Sequence, residues 1–373
     1  MQIAPFKLER YFAKYEFTAP YLLSSSDCQP LSLNELLSMI HGETMKMWNV
    51  LELGYTESQG QPELREEIAS LYPTVEPGQI VVAAPEEAIF LAMNTLLEKG
   101  DEVVSTFPAY QSLYEVARSL GCNVKYWRPQ FEEGWHFHLD DLEKVMSRKT
   151  KLLIINFPHN PTGTTITHRQ QERIIRMARD FNTIIFADEM YRYLEQEEKE
   201  RLPSIADQTD QAVTLFGMSK SFALAGLRIG WLIAKNPDWV ERFMTFKDYT
   251  TICNSAPSEI LALMGLKARD QILRRNHDII RNNLWILDEF FSKHQSLFEW
   301  NRPDAGPVAF PKFLGDQDVN DFCHDLVETK GVMLLPAKVY DFAGQHFRLG
   351  FARSNMAEAL EKLEEYLREK YPQ

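Results

Sequence analysis

The sequence predicts an α/β protein in which a three-layer, mainly parallel β-sheet forms a large domain and a smaller α+β domain follows it. Near-continuous apolar runs alternate with helical stretches from Ile80 onward. This alternation is typical of parallel strands that are covered by helices on both faces. From Ser258 the pattern changes to a long helical region with no predicted strand before about Pro307. We therefore expect a second, smaller unit after that region.

The individual elements follow from hydrophobic periodicity and from turn residues. Pro62 is expected to begin a helix after a loop that Tyr55 and Gly60 bracket. Large-domain strands are predicted at residues 80–84, 102–105, 124–127, 151–157, 183–187, 212–216 and 229–234, with helices at 86–98, 109–120 and 168–181. Small-domain strands are predicted at 307–313, 331–335 and 346–351, with a closing helix at 356–370. The expected division is an N-terminal segment packing with the small domain (1–45), the large domain (46–270) and the small domain (271–373).

Composition excludes several classes of function. The 373 residues carry a net charge of −13, which repels nucleic acid, and no basic stripe offsets it. No apolar run approaches a membrane span, and the first ten residues lack the apolar core of a signal peptide, so a cytoplasmic enzyme is expected. The four cysteines are scattered, which argues against a disulfide framework or a zinc site. His136 and His138 alternate on one predicted strand face without a third ligand, so no metal site is expected.

The most informative stretch runs from Ala212 to Trp231. A predicted strand there ends at Gly217, Lys220 follows, and Arg228 comes eight residues later. The carboxyl ends of parallel strands face the crevice in which α/β proteins bind ligands. A lysine in that crevice, partly desolvated and near a fixed cation, has a lowered pKa and becomes a nucleophile toward carbonyl groups.

Other polar side chains follow neighbouring predicted strands. Asn160 lies in a turn held by two prolines, and Asp188 comes directly after a buried strand with Tyr191 three residues later. A helix beginning at Pro85 offers free backbone N–H groups, which can hold a phosphate. Lysine, aspartate, tyrosine, asparagine, arginine and a helix N-terminus around one cleft suit an aromatic aldehyde with a ring nitrogen, a phenolic oxygen and a phosphate. That cofactor is pyridoxal phosphate.

Four motifs carry a resemblance to a known family. They are D-E-M-Y at 188–191, N-P-T-G at 160–163, S-K at 219–220 with an arginine eight residues later, and R-L-G-F-A from Arg348. In order and spacing, over roughly residues 50–355, the chain resembles the class I/II aminotransferases of the fold-type-I pyridoxal-phosphate superfamily. The resemblance implies an aspartate aminotransferase-like fold, with the cofactor in the large domain.

The resemblance also implies roles around the cofactor ring. Lys220 would bond covalently to the cofactor aldehyde and, once released by substrate, would move the proton at the substrate Cα. Asp188 would pair with the pyridine nitrogen and keep it protonated. Asn160 and Tyr191 would hydrogen-bond the phenolic oxygen, and Tyr110 would stack on the ring. Lys220, Asp188 and Tyr191 are thus the expected catalytic residues.

Further implied roles concern the phosphate and the substrate. Arg228 would bind the cofactor phosphate, and Arg348, with Asn160 beside it, would hold the substrate α-carboxylate in a bidentate pair. Tyr55 would reach the phosphate bound by the neighbouring subunit, which implies a homodimer. Tyr249, Thr250 and Asn254 lie in a stretch that relatives use near the dimer cleft.

The chain departs from the family pattern at two places. Ala84, Pro85 and Glu86 stand where relatives present a glycine-rich or hydroxyl-bearing turn to the phosphate, and Gly217 stands where many carry a phosphate-binding serine. Pro85 removes one backbone donor, and an inward Glu86 would repel a phosphate. We therefore expect Glu86 to face away from the site and Ser219 to compensate in part for Gly217.

Three functions remain open from the sequence. The first is an aminotransferase that moves an amino group from an L-amino acid to a 2-oxo acid by a ping-pong mechanism. The second is another reaction on the same scaffold, such as C–S β-elimination, decarboxylation or a biosynthetic cyclisation. The third is a non-catalytic ligand sensor, which the presence of Lys220 disfavours. Substrate selectivity is expected from residues 16–27, Tyr110 and the partner subunit; aromatic residues near the N-terminus would favour an apolar or aromatic side chain if they line the entrance, and could equally be small-domain core.

Overall fold

A seven-stranded sheet in the order β1-β7-β6-β5-β4-β2-β3 forms the centre of the protein in the computed structural model, which describes residues 2–372. Its strands are β1 (Ile80–Ala83), β2 (Glu102–Thr106), β3 (Asn123–Trp127), β4 (Thr150–Asn156), β5 (Ile184–Asp188), β6 (Ala212–Gly217) and β7 (Gly230–Ala234). The strands from β3 to β6 pair in parallel, whereas β7 runs antiparallel to both β1 and β6. The predicted mainly parallel sheet is confirmed, and the strand bounds agree with the apolar runs to within a residue or so.

Helices cover both faces of this sheet and extend beyond it. They are α1 (Lys7–Tyr15), α2 (Leu33–Ser38), α3 (Glu43–Asn49), α4 (Pro62–Ala69), α5 (Pro85–Leu96), α6 (Ser112–Ser119), α7 (Leu139–Val145), α8 (His168–Phe181), α9 (Ile205–Gln208), α10 (Pro237–Lys247), α11 (Ala256–Lys267), α12 (Arg269–Lys293), α13 (Val319–Lys330) and α14 (Met356–Lys370). Local sequence explains several of these ends. Proline occupies the first turn of α4 and α5, and Thr167 with Gln170 forms a capping box at the start of α8.

The C-terminal part carries two small sheets. One pairs β8 (Phe298–Glu299) with β10 (Lys312–Phe313), and the other has the order β11 (Leu335–Pro336), β12 (Phe347–Gly350), β9 (Val308–Ala309). The expectation of no strand before about Pro307 is therefore wrong, because β8 is too short to show a pattern and exists through its pairing with β10. The predicted strand 307–313 is divided into β9 and β10 around Pro311, which lacks an N–H group to donate.

The N-terminal segment runs against the C-terminal sheet. The backbone N–H of Met333 donates to the Tyr21 carbonyl at 2.9 Å, and that of Gly350 donates to the Leu23 carbonyl at 2.8 Å. A Cβ atom on Gly350 would lie 1.8 Å from the Ser25 carbonyl oxygen, so only glycine permits this approach. Residues 21–25 are thereby fixed beside β12. The predicted domain boundaries at residues 45 and 270 stay predictions.

None of the helices within residues 2–372 is long and apolar enough to cross a membrane.

Candidate active site

A cavity of about 450 Å³ lies at the carboxyl ends of β4, β5 and β6 and is closed on its far side by α1 and residues 25–27. It brings together most of the residues predicted from the sequence. Those lining it are Pro85, Glu86, Tyr110, Asn160, Asp188, Tyr191, Ser219, Lys220, Arg228 and Arg348. Ala84 and Tyr55 do not line it: Ala84 precedes α5, and Tyr55 is 92% exposed on a different surface.

Asp188 ends β5 and points into this cavity. Its Oδ1 accepts a hydrogen bond from the backbone N–H of Met190 at 3.0 Å. Desolvation raises the pKa of the carboxyl to about 7, although the Met190 bond and the charge of Lys220 act in the opposite direction. An acid with such a pKa is ready to share a proton with a basic nitrogen.

Asn156, the last residue of β4, is a site residue that the sequence analysis missed. Its Nδ2 donates to the Asp188 carbonyl at 3.0 Å, and its Oδ1 accepts from the backbone N–H of Asn160 at 2.8 Å. It therefore fixes both residues relative to each other. A polar residue ending an otherwise apolar strand run was the available signal.

Lys220 follows β6, and its Nζ donates to Ser26 Oγ at 2.8 Å. Desolvation lowers the pKa of the amine; the negative charge of Asp27 opposes this, and the charges of Arg348 and Arg228 add to it. The predicted combination of desolvation and nearby cations is thus present. Ser26 is a further residue that sequence reasoning did not single out, because it comes from the distant N-terminal segment.

Arg348 lies on β12 and is only 1% exposed. Its Nε and Nη2 donate to the Ser24 carbonyl at 3.1 and 2.7 Å, and its Nη1 donates to Tyr340 Oη at 2.6 Å and to Asn160 Oδ1 at 3.2 Å. All of these acceptors are neutral. Among residues 2–372, no carboxylate lies within 4.0 Å of the guanidinium, so its buried charge lacks a counter-ion within the chain. A buried cation of this kind is suited to a ligand carboxylate.

The region expected to hold a phosphate combines the first turn of α5 with Arg228 and Ser219. Arg228 has a left-handed backbone with φ 55°, and its Nη1 donates only to the Ala225 carbonyl, at 3.1 Å. Ser219 Oγ is buried without a hydrogen-bond partner in the described chain. A Cβ on Gly217 would lie 2.7 Å from the Cα of Gly230 on β7, which explains why no serine stands there.

The expectation that Glu86 faces away from the site is wrong. Glu86 lines the cavity beside Tyr110 and Ser112. Desolvation raises the pKa of its carboxyl, and hydrogen bonds with Ser112 and Tyr110 act in the opposite direction. The enclosing side chains come from residues after β2, which the sequence around Pro85 cannot reveal.

The N-terminal helix α1 contributes the far wall. Leu8, Glu9, Phe12 and, just after the helix, Glu16 line the cavity, and Tyr110 Oη donates to Glu9 Oε1 at 3.3 Å. Of the N-terminal aromatic residues, Phe12 lines the cavity, and both Phe12 and Tyr15 pack in the hydrophobic cluster that includes residues 333–340. Both possibilities considered from the sequence therefore occur.

His136 and His138 lie away from this cavity, and both contact Glu133. Throughout residues 2–372 there is no group of three or more His, Cys, Asp or Glu side chains that could hold a metal ion.

Comparison with known proteins agrees with this geometry. Residues 49–364 match the model of the family "Aminotransferase class I and II". The chain belongs to this family. A curated relative, an aspartate aminotransferase of Sulfurisphaera tokodaii, is 27% identical over 332 residues, covering 84% of this chain and 82% of the relative.

Two solved structures are similar to this family member over all or nearly all of its length. A PLP-dependent aminotransferase from Streptococcus suis 89-1591 superposes with a TM-score of 0.93 at 31% identity, covering 100% of both chains. The PLP-dependent cyclase OrfR superposes with a TM-score of 0.90 at 26% identity, covering 99% of this chain and 98% of its own. The predicted aspartate aminotransferase-like fold is confirmed.

The cofactor is pyridoxal phosphate, as the family implies, and the cavity fits it. Tyr191 Oη and Ser219 Oγ are buried polar atoms with no partner in the described residues, and both face this cavity. Asp188 and Lys220 line the same cavity, and they are an acid and an amine of the kind that suit a ring nitrogen and an aldehyde. The space and the unpaired groups are those that a polar aromatic ligand would satisfy.

The raised pKa of Asp188 predicts a pH-dependent cost to folding in the cofactor-free protein. The pKa of about 7 keeps the native carboxyl protonated up to about that pH, whereas the unfolded carboxyl loses its proton near the ordinary pKa of 3.8. The native state therefore binds more protons in that window, and stability falls as pH rises through it. The wild-type free energy of unfolding, relative to that of Asp188→Asn, should decrease by about 1.4 kcal/mol per pH unit between these values.

Urea unfolding of the cofactor-free proteins at several pH values measures this difference. Asp180→Asn, on the exposed face of α8, is the matched control and should follow wild type. A wild-type-minus-Asp188→Asn difference that stays constant with pH would contradict the proposed desolvation of Asp188.

Proposed function

We propose that this protein is an aminotransferase that moves an amino group from an L-amino acid to a 2-oxo acid by a ping-pong mechanism. The observation that carries the proposal is the shared cavity of Lys220 and Arg348. Arg348 offers a buried guanidinium without a counter-ion in the described chain, which suits the α-carboxylate common to both substrates. Lys220 offers an amine with a lowered pKa on the same cavity.

The chain's own side chains account for the remaining requirements. Pyridoxal phosphate, when bound, accepts the electrons released at the substrate Cα. Lys220 takes and returns the Cα proton at Nζ, and desolvation lowers the pKa of this amine. Asp188 keeps a proton on the ring nitrogen. Asn160 uses Oδ1 for Arg348, which leaves its Nδ2 to donate to the ring's phenolic oxygen together with Tyr191 Oη.

Phosphate binding is proposed for Arg228, Ser219 and the first turn of α5, including Pro85 and Glu86. The guanidinium of Arg228 has no carboxylate partner within 4.0 Å in residues 2–372, and Ser219 Oγ is unpaired there. Tyr110, which lines the same cavity, is proposed to stack on the pyridine ring of the cofactor.

A second candidate is another pyridoxal-phosphate reaction, namely C–S β-elimination, decarboxylation or a biosynthetic cyclisation. The structural similarity to the cyclase OrfR supports this second candidate, because OrfR superposes on almost the whole chain. Lys220 and Asp188 would serve these reactions equally. Free ammonia formed without a 2-oxo acid acceptor would indicate β-elimination, and carbon dioxide would indicate decarboxylation. A cyclisation would release neither and would yield a cyclic amino acid.

We also propose a homodimer that joins copies through an exposed apolar surface. This surface comprises Val50, Leu53, Tyr55, Tyr249 and Ile252, whose exposed fractions lie between 53% and 92%. One shallow depression is lined by Leu53, Tyr55, Thr251 and residues 253–257, so the two stretches are adjacent. Large apolar side chains at this exposure are typical of a surface that a partner covers. In the dimer, Tyr55 would contact the phosphate bound by the other copy.

The central test of function is a visible spectrum of the purified holoenzyme during additions of single amino acids. We expect at least one amino acid to bleach the band of the bound cofactor and a 2-oxo acid to restore it. Lys220→Ala should keep the fold, by circular dichroism, and lose turnover, because within residues 2–372 no other lysine lines the cavity to move the Cα proton. Lys149→Ala, at an exposed position, is the control. Substantial turnover by Lys220→Ala, or a band that amino acids change and no 2-oxo acid restores, would refute transamination.

The proposed dimer predicts a sedimenting species of two 43.3 kDa chains. Leu53→Asp should raise the dimer dissociation constant by about tenfold or more, because a charge would be buried in the interface. Leu314→Asp places the same change on a leucine that is 44% exposed elsewhere, and it should leave association unchanged. Wild-type protein sedimenting as one chain, or equal behaviour of the two variants, would contradict the proposed interface.

A further inference from the structure

Each positively charged side chain of the cavity already has a proposed role, so none is left to bind a substrate side chain. Lys220, Arg228 and Arg348 are the only lysine or arginine residues lining the cavity in the described chain. The proposed function assigns them to the cofactor aldehyde, the cofactor phosphate and the substrate α-carboxylate. A second carboxylate on the substrate, as in aspartate, would therefore meet no unassigned cation.

The carboxylates, in contrast, exceed the demands of the cofactor. Asp188 is assigned to the ring nitrogen, and Asp27 is paired with Arg353 Nη2 through both of its oxygens, at 2.9 and 3.0 Å. Glu9, Glu16 and Glu86 remain. Within residues 2–372, none of these three has a basic side chain within 4.0 Å.

Glu86 lies in a different part of the cavity from Glu9 and Glu16. Glu86 belongs to the first turn of α5, near the phosphate end of the proposed cofactor site. Glu9 and Glu16 belong to the N-terminal wall, where Phe12 lies between them in sequence and the Arg348 guanidinium lies 5.9 Å from the Phe12 ring centre. Glu9, Phe12 and Glu16 are spaced as one face of a helix and all line the cavity, so we place the two carboxylates on either side of Phe12, beside the path of a substrate side chain.

The environment of Glu16 points to a missing positive partner. Burial raises the pKa of its carboxyl, and the negative charges of Asp27 and Glu9 raise it further, against weaker opposition from Arg353 and Lys220. The guanidinium of Arg348 is only 1% exposed, has no carboxylate partner within 4.0 Å in the described chain and lines the same cavity, which independently indicates a charged ligand there. Bringing a cation between Glu9 and Glu16 would remove their mutual repulsion.

We propose that the substrate is an amino acid whose side chain carries a guanidinium or ammonium group, and that Glu9 and Glu16 bind this group. The inference rests on the proposed function, because it uses Arg348 to orient the substrate. Leu8 and Phe12 on the same wall would pack against the aliphatic stem of such a side chain. Glu9 and Glu16 are then specificity residues that take no part in proton transfer.

L-Arginine and L-citrulline provide a nearly isosteric pair that differs in charge. Each is titrated into the holoenzyme while the visible cofactor spectrum is recorded, with L-lysine against L-norleucine as a second pair. Wild-type protein should bind the charged member at least about tenfold more tightly, as expected for a charge-assisted contact. In the double variant Glu9→Gln/Glu16→Gln, the affinity for arginine should fall close to that for citrulline. The affinity for citrulline itself should change little.

Glu361→Gln, on the exposed face of α14, is the matched control and should keep the wild-type preference. Each variant must retain the wild-type cofactor band, which separates loss of specificity from loss of fold. Equal binding of arginine and citrulline by wild type, tighter binding of aspartate, or a preference that survives in the double variant would overturn the inference and leave the proposed function intact. A cofactor band that no amino acid changes would instead remove the proposed function itself.

Discussion

The buried guanidinium of Arg348 is the contact on which the arrangement of the site depends. It joins the Ser24 carbonyl of the N-terminal segment, Asn160 after β4 and Tyr340 of the C-terminal part through bonds of 2.6–3.2 Å. These parts are more than one hundred residues apart in sequence, so the charge fixes their relative positions. All its partners are neutral, which leaves the positive charge for a ligand carboxylate.

The large sheet supplies the rigid side of the cavity. Parallel strands present their carboxyl ends at one edge, so Asn156 and Asp188, which are paired in register between β4 and β5, meet there without long loops. The N-terminal segment supplies the opposite side, through the Ser26 hydroxyl near Lys220 and the glutamates near α1. The proposed catalytic residues thus follow strands of the sheet, whereas the proposed specificity residues lie on the wall that covers it.

Much of the fold could be predicted because its signals are local. Apolar runs such as 183–187 and the capping residues of α8 specify their elements within a few positions. Residues after strand ends, such as Lys220 and Asp188, could be located for the same reason. The short strand β8 could not, since only its pairing with β10 creates it.

The features of the site that the sequence did not predict also depend on contacts between distant parts of the chain. The inward direction of Glu86 depends on Tyr110 and Ser112, and the role of Asn156 depends on Asp188 in the next strand. The requirement for glycine at position 217 becomes visible only when Gly230 lies beside it in β7. In each case a contact between distant parts of the chain decided a side chain's surroundings, and no local pattern records such a contact.

The most direct test of this account is the affinity of the holoenzyme for amino acids after Arg348→Ala, measured by spectral titration beside Arg148→Ala, an exposed control. Loss of a buried charge partner should weaken amino acid binding by roughly 2–5 kcal/mol, with much less effect on cofactor binding. Arg348→Lys keeps the positive charge but lacks the planar guanidinium that binds a carboxylate through two hydrogen bonds. It should weaken amino acid binding less than Arg348→Ala does. Unchanged amino acid affinity in Arg348→Ala, with the cofactor band intact, would contradict the account.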